Sequence, residues 1–470
     1  LAHPQVPATR NEGRVADFLI TQLEGIDKTS TFHAAVERLP PAHGVWIDRR
    51  AVRRQQYWSL QLSATDTLPR SDDVWSQAVA DALERAVARH LTGPAPVGCM
   101  LSGGLDSSSI AIVANAQLVA QGRGPLATFS SIDSSDGDCA ETSAIRSMLA
   151  LPGFDPTVID HAAPGRLLDR LQTLVQEADE PFDALMTLVN AQYCAATDKG
   201  VDAVMDGVDG DSLFLEGAGI VRQLRSGHWR AAWKNARGQR RIHGEGAPVL
   251  LELGKAARSA LVPDALRSRV TALRRHRQVR DNLATSLIAP DFAHRIDLRG
   301  RLATIAHHRS LGPRTSAPQE ALEALAHPYL TAALERYHRV AAAHGAQPRH
   351  PFTDRRLLEL CVNLPDRQRF HDGWSKAVLR CAMRDRLPPA VCWRTGKQHL
   401  GWALTRALLT HDAGTLTAEL RANRKVLDPY VDQARLDAAL SALGKPGDDA
   451  AAQLVFEALI LASWLPRHPG

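Results

Sequence analysis

The sequence is poor in cysteine, lysine and aromatic residues, and each shortage excludes something. Its 470 residues hold six cysteines (Cys99, Cys139, Cys194, Cys361, Cys381, Cys392), far apart and never in a Cys-x-x-Cys pair. That spacing excludes a disulfide framework, argues against structural zinc, and suits reduced, mostly buried thiols in a cytoplasmic protein. His307-His308 has no companion ligands nearby and reads as an ordinary pair. No run of 18 apolar residues predicts a transmembrane helix; the most apolar stretch, 454–466, is interrupted by Glu457 and reads as a buried C-terminal helix. No basic-then-apolar leader opens the chain, which starts at Leu1 rather than at Met. Internal repeats and low-complexity tracts are missing too.

What is there is the composition of a globular protein, 44% hydrophobic and 23% charged, long enough for two to four domains. The net charge of +5 is unevenly placed. Residues 221–301 hold 18 Arg/Lys against six Asp/Glu, a surplus of +12, so the remainder stands at −7. Several of these cations recur at helical spacing (Arg267, Arg274, Arg275, Arg277). Such a stretch either guides an acidic peptide or ATP towards a site or is a solvated helical face.

Residues 11–23 show helical periodicity, and Gly44–Asp48 resembles a strand; residues 1–62 are too little to fold alone. From Ser71 the pattern becomes alternating. A helix over 72–91 precedes a buried strand at 97–101, then come a helix to about 121 and a strand at 126–132. A helix at 141–150, a strand at 157–159, helices at 166–177 and 184–197 and a strand at 202–205 follow. Alternation of this kind predicts an α/β fold, a parallel sheet with helices on both faces. After Leu213 the pattern is helical, with almost no strand signal.

The strongest motif is Leu101-Ser102-Gly103-Gly104-Leu105-Asp106-Ser107-Ser108, between the first buried strand and its helix. Open α/β sheets bind ligands at that place. Two glycines allow a sharp turn and close backbone approach; the N–H groups, the helix N-terminus and three hydroxyls then converge on an anion. Asp106 would repel phosphate unless it held a cation, which points to Mg²⁺. No Gly-Lys-Ser/Thr follows, so this is not a Walker loop.

Ser-Gly-Gly-Leu-Asp-Ser-Ser resembles the pyrophosphate loop of N-type ATP pyrophosphatases, and the flanking sequence resembles the asparagine synthetase superfamily. Further segments fit in order. Thr128–Ser131 with Glu141 is similar to the adenine-side strand and helix, which implies Ser130 at the nucleotide. Asp206-Gly207 through Asp211-Ser-Leu-Phe214 stands at the second metal loop. Arg349-His-Pro-Phe-Thr-Asp354, Trp374-Ser-Lys376 with Leu379-Arg380, and Trp393-Arg-Thr-Gly-Lys397 resemble later motifs, the last with its lysine one place late. The segment around Thr31-Phe32, Leu39-Pro40-Pro41, His43 and Tyr57-Trp58 resembles the end of a glutamine-amidotransferase-like (Ntn, α+β) domain. The implied division is 1–62 for that remnant and 71–470 for the ligase domain.

The resemblance implies an ATP-dependent C–N ligase that adenylates a carboxylate, releases pyrophosphate and lets an amine form an amide. It implies ATP and Mg²⁺, with Asp106 and Asp211 as metal ligands. Lys397, Lys376 and Asp211 become catalytic candidates, and Gly207 and Arg380 join the nucleotide-binding loop residues. Only eight of the 56 cations are lysines, and two of them stand at these positions, where a compact point charge suits phosphate chemistry. Arg380 also reads as a helix-surface charge, and Asp354 equally as a helix N-cap.

One departure bears on substrate. Asparagine synthetases carry Gly-Glu-Gly-x-Asp-Glu in the second loop, whereas this sequence reads Gly207-Val-Asp-Gly-Asp-Ser212. Val208 cannot act as a base, which counts against ammonia as nucleophile. Lasso peptide cyclases and β-lactam synthetases have degenerate loops, and the motifs from Arg349 to Met383 look most like lasso cyclases. A precursor peptide or small carboxylate is then the substrate, with a leader-peptide-binding or protease partner, and neither DNA nor membrane is implied. The alternatives are a glutamine-hydrolysing asparagine synthetase, a β-lactam synthetase-like enzyme, an RNA-modifying pyrophosphatase and a non-catalytic scaffold.

Overall fold

The computed structural model describes residues 3, 5–20, 26–63, 71–93, 95–134, 139–161, 167–243, 249–261, 281, 283–308, 316–396, 400–410, 415–445 and 447–468. Asn11 caps α1 (Glu12–Leu19), and an antiparallel hairpin follows, β1 (His43–Ile47) and β2 (Val52–Gln56). Ser71 caps α2 (Asp72–His90), with acids in its first turn and Arg89 and His90 in its last, as the helix dipole favours.

The centre is a five-stranded, wholly parallel sheet: β3 (Val97–Met100), β4 (Leu126–Ile132), β5 (Phe154–Asp160), β6 (Ala203–Met205) and β7 (Gln347–Arg349), in the order β5-β4-β3-β6-β7. Helices α3 (Leu105–Ala120), α4 (Ala140–Leu149), α5 (Leu167–Glu177) and α6 (Met186–Asp198) connect the first four strands. Strand residues alternate between two cores. Cys99, Leu101, Ala203 and Met205 pack with α2, α3 and the later helices 355–361 and 377–383, whereas Met100, Phe129 and Val204 pack with α6, helix 328–343 and the C-terminal helices. Burial on both faces explains why these strands read as continuous apolar runs. The expected α/β class is thus observed.

One element escaped the sequence reading. Beyond Leu213 hardly any strand was expected, yet Gln347–Arg349 forms the β7 edge, pairing with β6 in register Ala203↔Gln347. It is three residues long with proline in the middle, tolerated because an edge strand leaves one side unpaired. A small antiparallel pair, β8 (Phe370–His371) and β9 (Trp374–Ser375), follows.

The C-terminal helix Asp449–Trp464 with its 3₁₀ extension to Arg467 is long and apolar enough to cross a membrane, but residues Val455–Trp464 lie buried in the core. Val15, Phe18 and Phe32 join that same core, and the Phe32 ring meets Trp464 edge-on at 5.5 Å. The hairpin β1–β2 by contrast exposes Trp46, Ile47 and Val52. All six cysteines are free thiols, five of them buried and Cys381 exposed.

Candidate active site

The first loop leaves β3 at Leu101, which is fully buried and donates its N–H to Phe129 O at 2.9 Å. Gly103 adopts φ +64°, and a Cβ there would lie 2.8 Å from Ile145 N of α4, so only glycine permits the turn and the contact. Gly104 is the N-cap of α3, and Leu105, Asp106, Ser107 and Ser108 form its first turn. Ser102 and Ser107 hydroxyls lie 2.9 Å apart, while Ser108 Oγ is buried without a hydrogen bond. Ser130, on β4, is also fully buried, its Oγ unpartnered.

The second loop follows β6 and folds directly onto the first. A Cβ at Gly207 would stand 2.7 Å from Ser107 N, and one at Gly210 would stand 2.5 Å from the Asp106 carboxyl carbon. Asp209 takes a left-handed conformation, φ +69°, at the start of the short helix Gly210–Leu213. Burial pushes the Asp209 carboxyl up to about 6. Asp106 and Asp211 converge on one cation, Lys376 Nζ: it pairs with Asp106 Oδ2 and lies 2.6 Å from Asp211 Oδ1. Lys376 is delivered by β9 in a left-handed conformation, φ +54°, just ahead of helix 377–383. Burial pulls its pKa down, but the two carboxylates outweigh that and hold it above the usual lysine value.

These two interlocked loops at the carboxyl ends of adjacent parallel strands place an anion cradle beside paired carboxylates. A family model described as Asparagine synthase matches residues 78–466. The chain belongs to the asparagine synthase family. Its domain is therefore of the ATP-dependent, amide-forming C–N ligase type. A relative in Bacillus subtilis (strain 168), named "Asparagine synthetase [glutamine-hydrolyzing] 3", is 30% identical over 143 residues, covering 29% of this chain and 22% of that protein.

In this asparagine synthase domain the donors fit a hard divalent ion. Two carboxylates from different loops already share a single cation, and carboxylate oxygen is what Mg²⁺ prefers. Among the described residues no cluster of three or more His, Cys, Asp or Glu forms a denser metal site. Lys397 lies outside the described residues. Arg380 is largely committed elsewhere: Nε donates to Ser375 O at 2.8 Å, Nη1 to Cys392 O, and the guanidinium sits 4.7 Å from the Trp374 ring centre. It braces the hairpin that presents Lys376. Asp354 is an N-cap, accepting from Arg356 N at 3.0 Å and Leu357 N at 3.3 Å, with Arg89 paired to its other oxygen.

The basic segment divides. Arg267, Arg274, Arg275 and Arg277 lie outside the described residues. Arg222 is locked between Glu320 and Asp366, and Arg301 Nη2 lies 2.6 Å from Asp17. Helix 229–243 keeps Arg230, Arg237, Arg240 and Arg241 exposed. It rests on the hairpin leading to Lys376, so closely that a Cβ at Gly238 would lie 2.1 Å from Asp372 O.

Sequence reasoning passed over one group. Asp206, at the end of β6, accepts from Val208 N at 3.0 Å and from His350 Nδ1 at 2.9 Å. Both side chains are buried. Burial lowers the His350 pKa, but the adjacent Asp206 carboxylate reverses this and leaves it above the usual value. Sequence offered no signal for the pair, because β7, whose end carries His350, becomes a strand only by pairing with β6.

Proposed function

We propose that this chain adenylates a side-chain carboxylate of a precursor peptide and joins it to the peptide's N-terminal amine, the reaction of lasso peptide cyclases. The observation that carries the reading is the second loop. It keeps Gly207 packed on the phosphate loop and Asp211 aimed at the shared cation, yet presents half-buried Val208 where asparagine synthetases carry a proton-accepting Glu. A valine at this position of a loop that keeps Gly207 and Asp211 suits a preformed amine better than ammonia.

Loop N–H groups of 103–105 and the first turn of α3 hold the phosphates, and Ser130 meets the nucleotide on the β4 side. Asp106 and Asp211 would hold Mg²⁺, which would supply charge neutralisation for the leaving pyrophosphate. Lys376 relocates from the carboxylates to phosphate oxygen, and Lys397 stabilises the reacting phosphate and carboxyl. The exposed arginines of helix 229–243 attract an acidic peptide to that edge. The second reading, asparagine synthetase proper, draws on the name of the Bacillus relative.

The test is isotopic. With an ¹⁸O-labelled Asp or Glu side chain in the peptide, one label must appear in AMP and the product must lose one water. Label-free AMP, or ADP as product, would reject adenylation.

A further inference from the structure

The sheet order assigns territories around the phosphate loop. It follows the central strand β3; the adenine-side Ser130 lies on β4, to one side, and β6 and β7 lie on the other. Strands stand about 4.8 Å apart, so groups at the end of β7 sit roughly 10 Å from the phosphate loop, about the span of a mixed anhydride and its attacking amine. Asp206 and His350 occupy the carboxyl ends of β6 and β7, and Asp206 N donates to Arg349 O at 3.1 Å, which clamps the two ends together. Strand alternation turns Asp206 to the side of α6 and helix 328–343.

Three buried polar atoms there have no hydrogen-bond partner among the described residues: His350 Nε2, Asp206 Oδ2 and Tyr193 Oη. Buried polar groups are ordinarily satisfied, so three unsatisfied atoms at the carboxyl ends of β6 and β7 are hydrogen-bonding capacity that the described residues do not use. His350 is 6% exposed, its Nδ1 fixed by Asp206 and its ring held edge-on by Tyr337 (5.8 Å) and His338 (5.5 Å). A carboxylate on one nitrogen of an imidazole fixes the tautomer and leaves the other nitrogen as acceptor.

We propose that His350, oriented by Asp206, accepts the proton of the attacking amine in the amide-forming step, in place of the acidic residue that Val208 replaces. The inference rests on the amide-forming reading above. The neutral amine's lone pair forms the new C–N bond. The acyl C–O bond to AMP breaks with its electron pair leaving on AMP, and the amine proton passes to His350 Nε2. Asp206 is a positioning residue; His350 touches the nucleophile.

The charged and titratable groups facing His350 are Asp206 and Asp209 after β6, Tyr337 and His338 on helix 328–343, Tyr193 on α6 and His90 at the end of α2. Asp206 dominates among them. The base form of His350 is lost as pH falls through its raised pKa, so product formation falls on the acid side.

Two half-reactions separate the outcomes. Carboxylate-dependent ATP–pyrophosphate exchange reports adenylation, and mass-detected cyclic peptide reports amide formation. His350→Gln should lower product formation about 100-fold or more and exchange far less. Asp206→Asn keeps an oxygen for Val208 N and His350 Nδ1 while removing the charge, so it should move the acid limb of product formation to lower pH. A parallel fall in both half-reactions with an unmoved acid limb would show a purely structural role. Unchanged product formation in His350→Gln would overturn the proposal outright. Wild-type protein without exchange would instead reject the adenylation reading itself.

Discussion

Replacing Lys376 by methionine removes the cation that two carboxylates share while keeping the length of the side chain. The Lys376 and Asp106 side chains are 14% and 17% exposed, whereas Asp211 is 67% exposed. Breaking a buried pair costs about 3–5 kcal/mol because one charge is left uncompensated. An exposed arm contributes less than about 1 kcal/mol. With Asp106 not wholly buried, the lower end applies, and K376M should lose about 3 kcal/mol in EDTA. Asp106 and Asp211 then lose the cation they share, and their oxygens are the donor set of a hard divalent site. Millimolar Mg²⁺ should therefore restore much of the loss in the variant and do far less for wild type, whose lysine competes. Urea unfolding followed by far-ultraviolet circular dichroism, with EDTA and with Mg²⁺, reads both effects. An unchanged midpoint in EDTA, or an equal Mg²⁺ response in the two proteins, would refute the reasoning.

Gly210→Ala places a methyl 2.5 Å from the Asp106 carboxyl carbon; ATP–pyrophosphate exchange should fall tenfold or more with the circular dichroism spectrum unchanged. Ser130→Ala removes a buried hydroxyl that has no hydrogen-bond partner among the described residues, so the urea stability should stay within about 0.5 kcal/mol while KM for ATP rises. Arg369 is 1% exposed and donates to main-chain carbonyls, among them Leu213 O (3.1 Å), Leu364 O (3.0 Å) and Cys361 O (2.9 Å). Arg369→Lys cannot reproduce that fork and should lower the urea midpoint by the equivalent of about 3 kcal/mol, as unsatisfied buried carbonyls require.

How far the sequence speaks depends on whether a feature is local. The apolar runs at 97–101, 126–132 and 202–205 became β3, β4 and β6 because strands buried on both faces need no polar alternation. The Gly103-Gly104 turn was legible because the positive φ that demands glycine at 103 is a property of one short segment, whereas its close approach to Ile145 of α4 was not. β7 was not legible: three residues centred on Pro348 carry no strand signal, and only pairing with β6 makes them a strand. Long-range meetings were hidden in the same way. Lys376 reaches Asp106 across 270 positions, and His350 reaches Asp206 across 144, so only the fold reveals that each pair acts together. Arg380 carries a role its place in the motif did not suggest: it donates to the carbonyls of Ser375 and Cys392 and so braces the Lys376 hairpin.

The central claim, that the carboxylate activated here belongs to a peptide, is tested most directly by ATP–pyrophosphate exchange. Purified protein with Mg²⁺, ATP and labelled pyrophosphate should exchange label when given a peptide bearing an internal Asp or Glu and a free N-terminus, and not when given free aspartate. Exchange supported equally by free aspartate would contradict it.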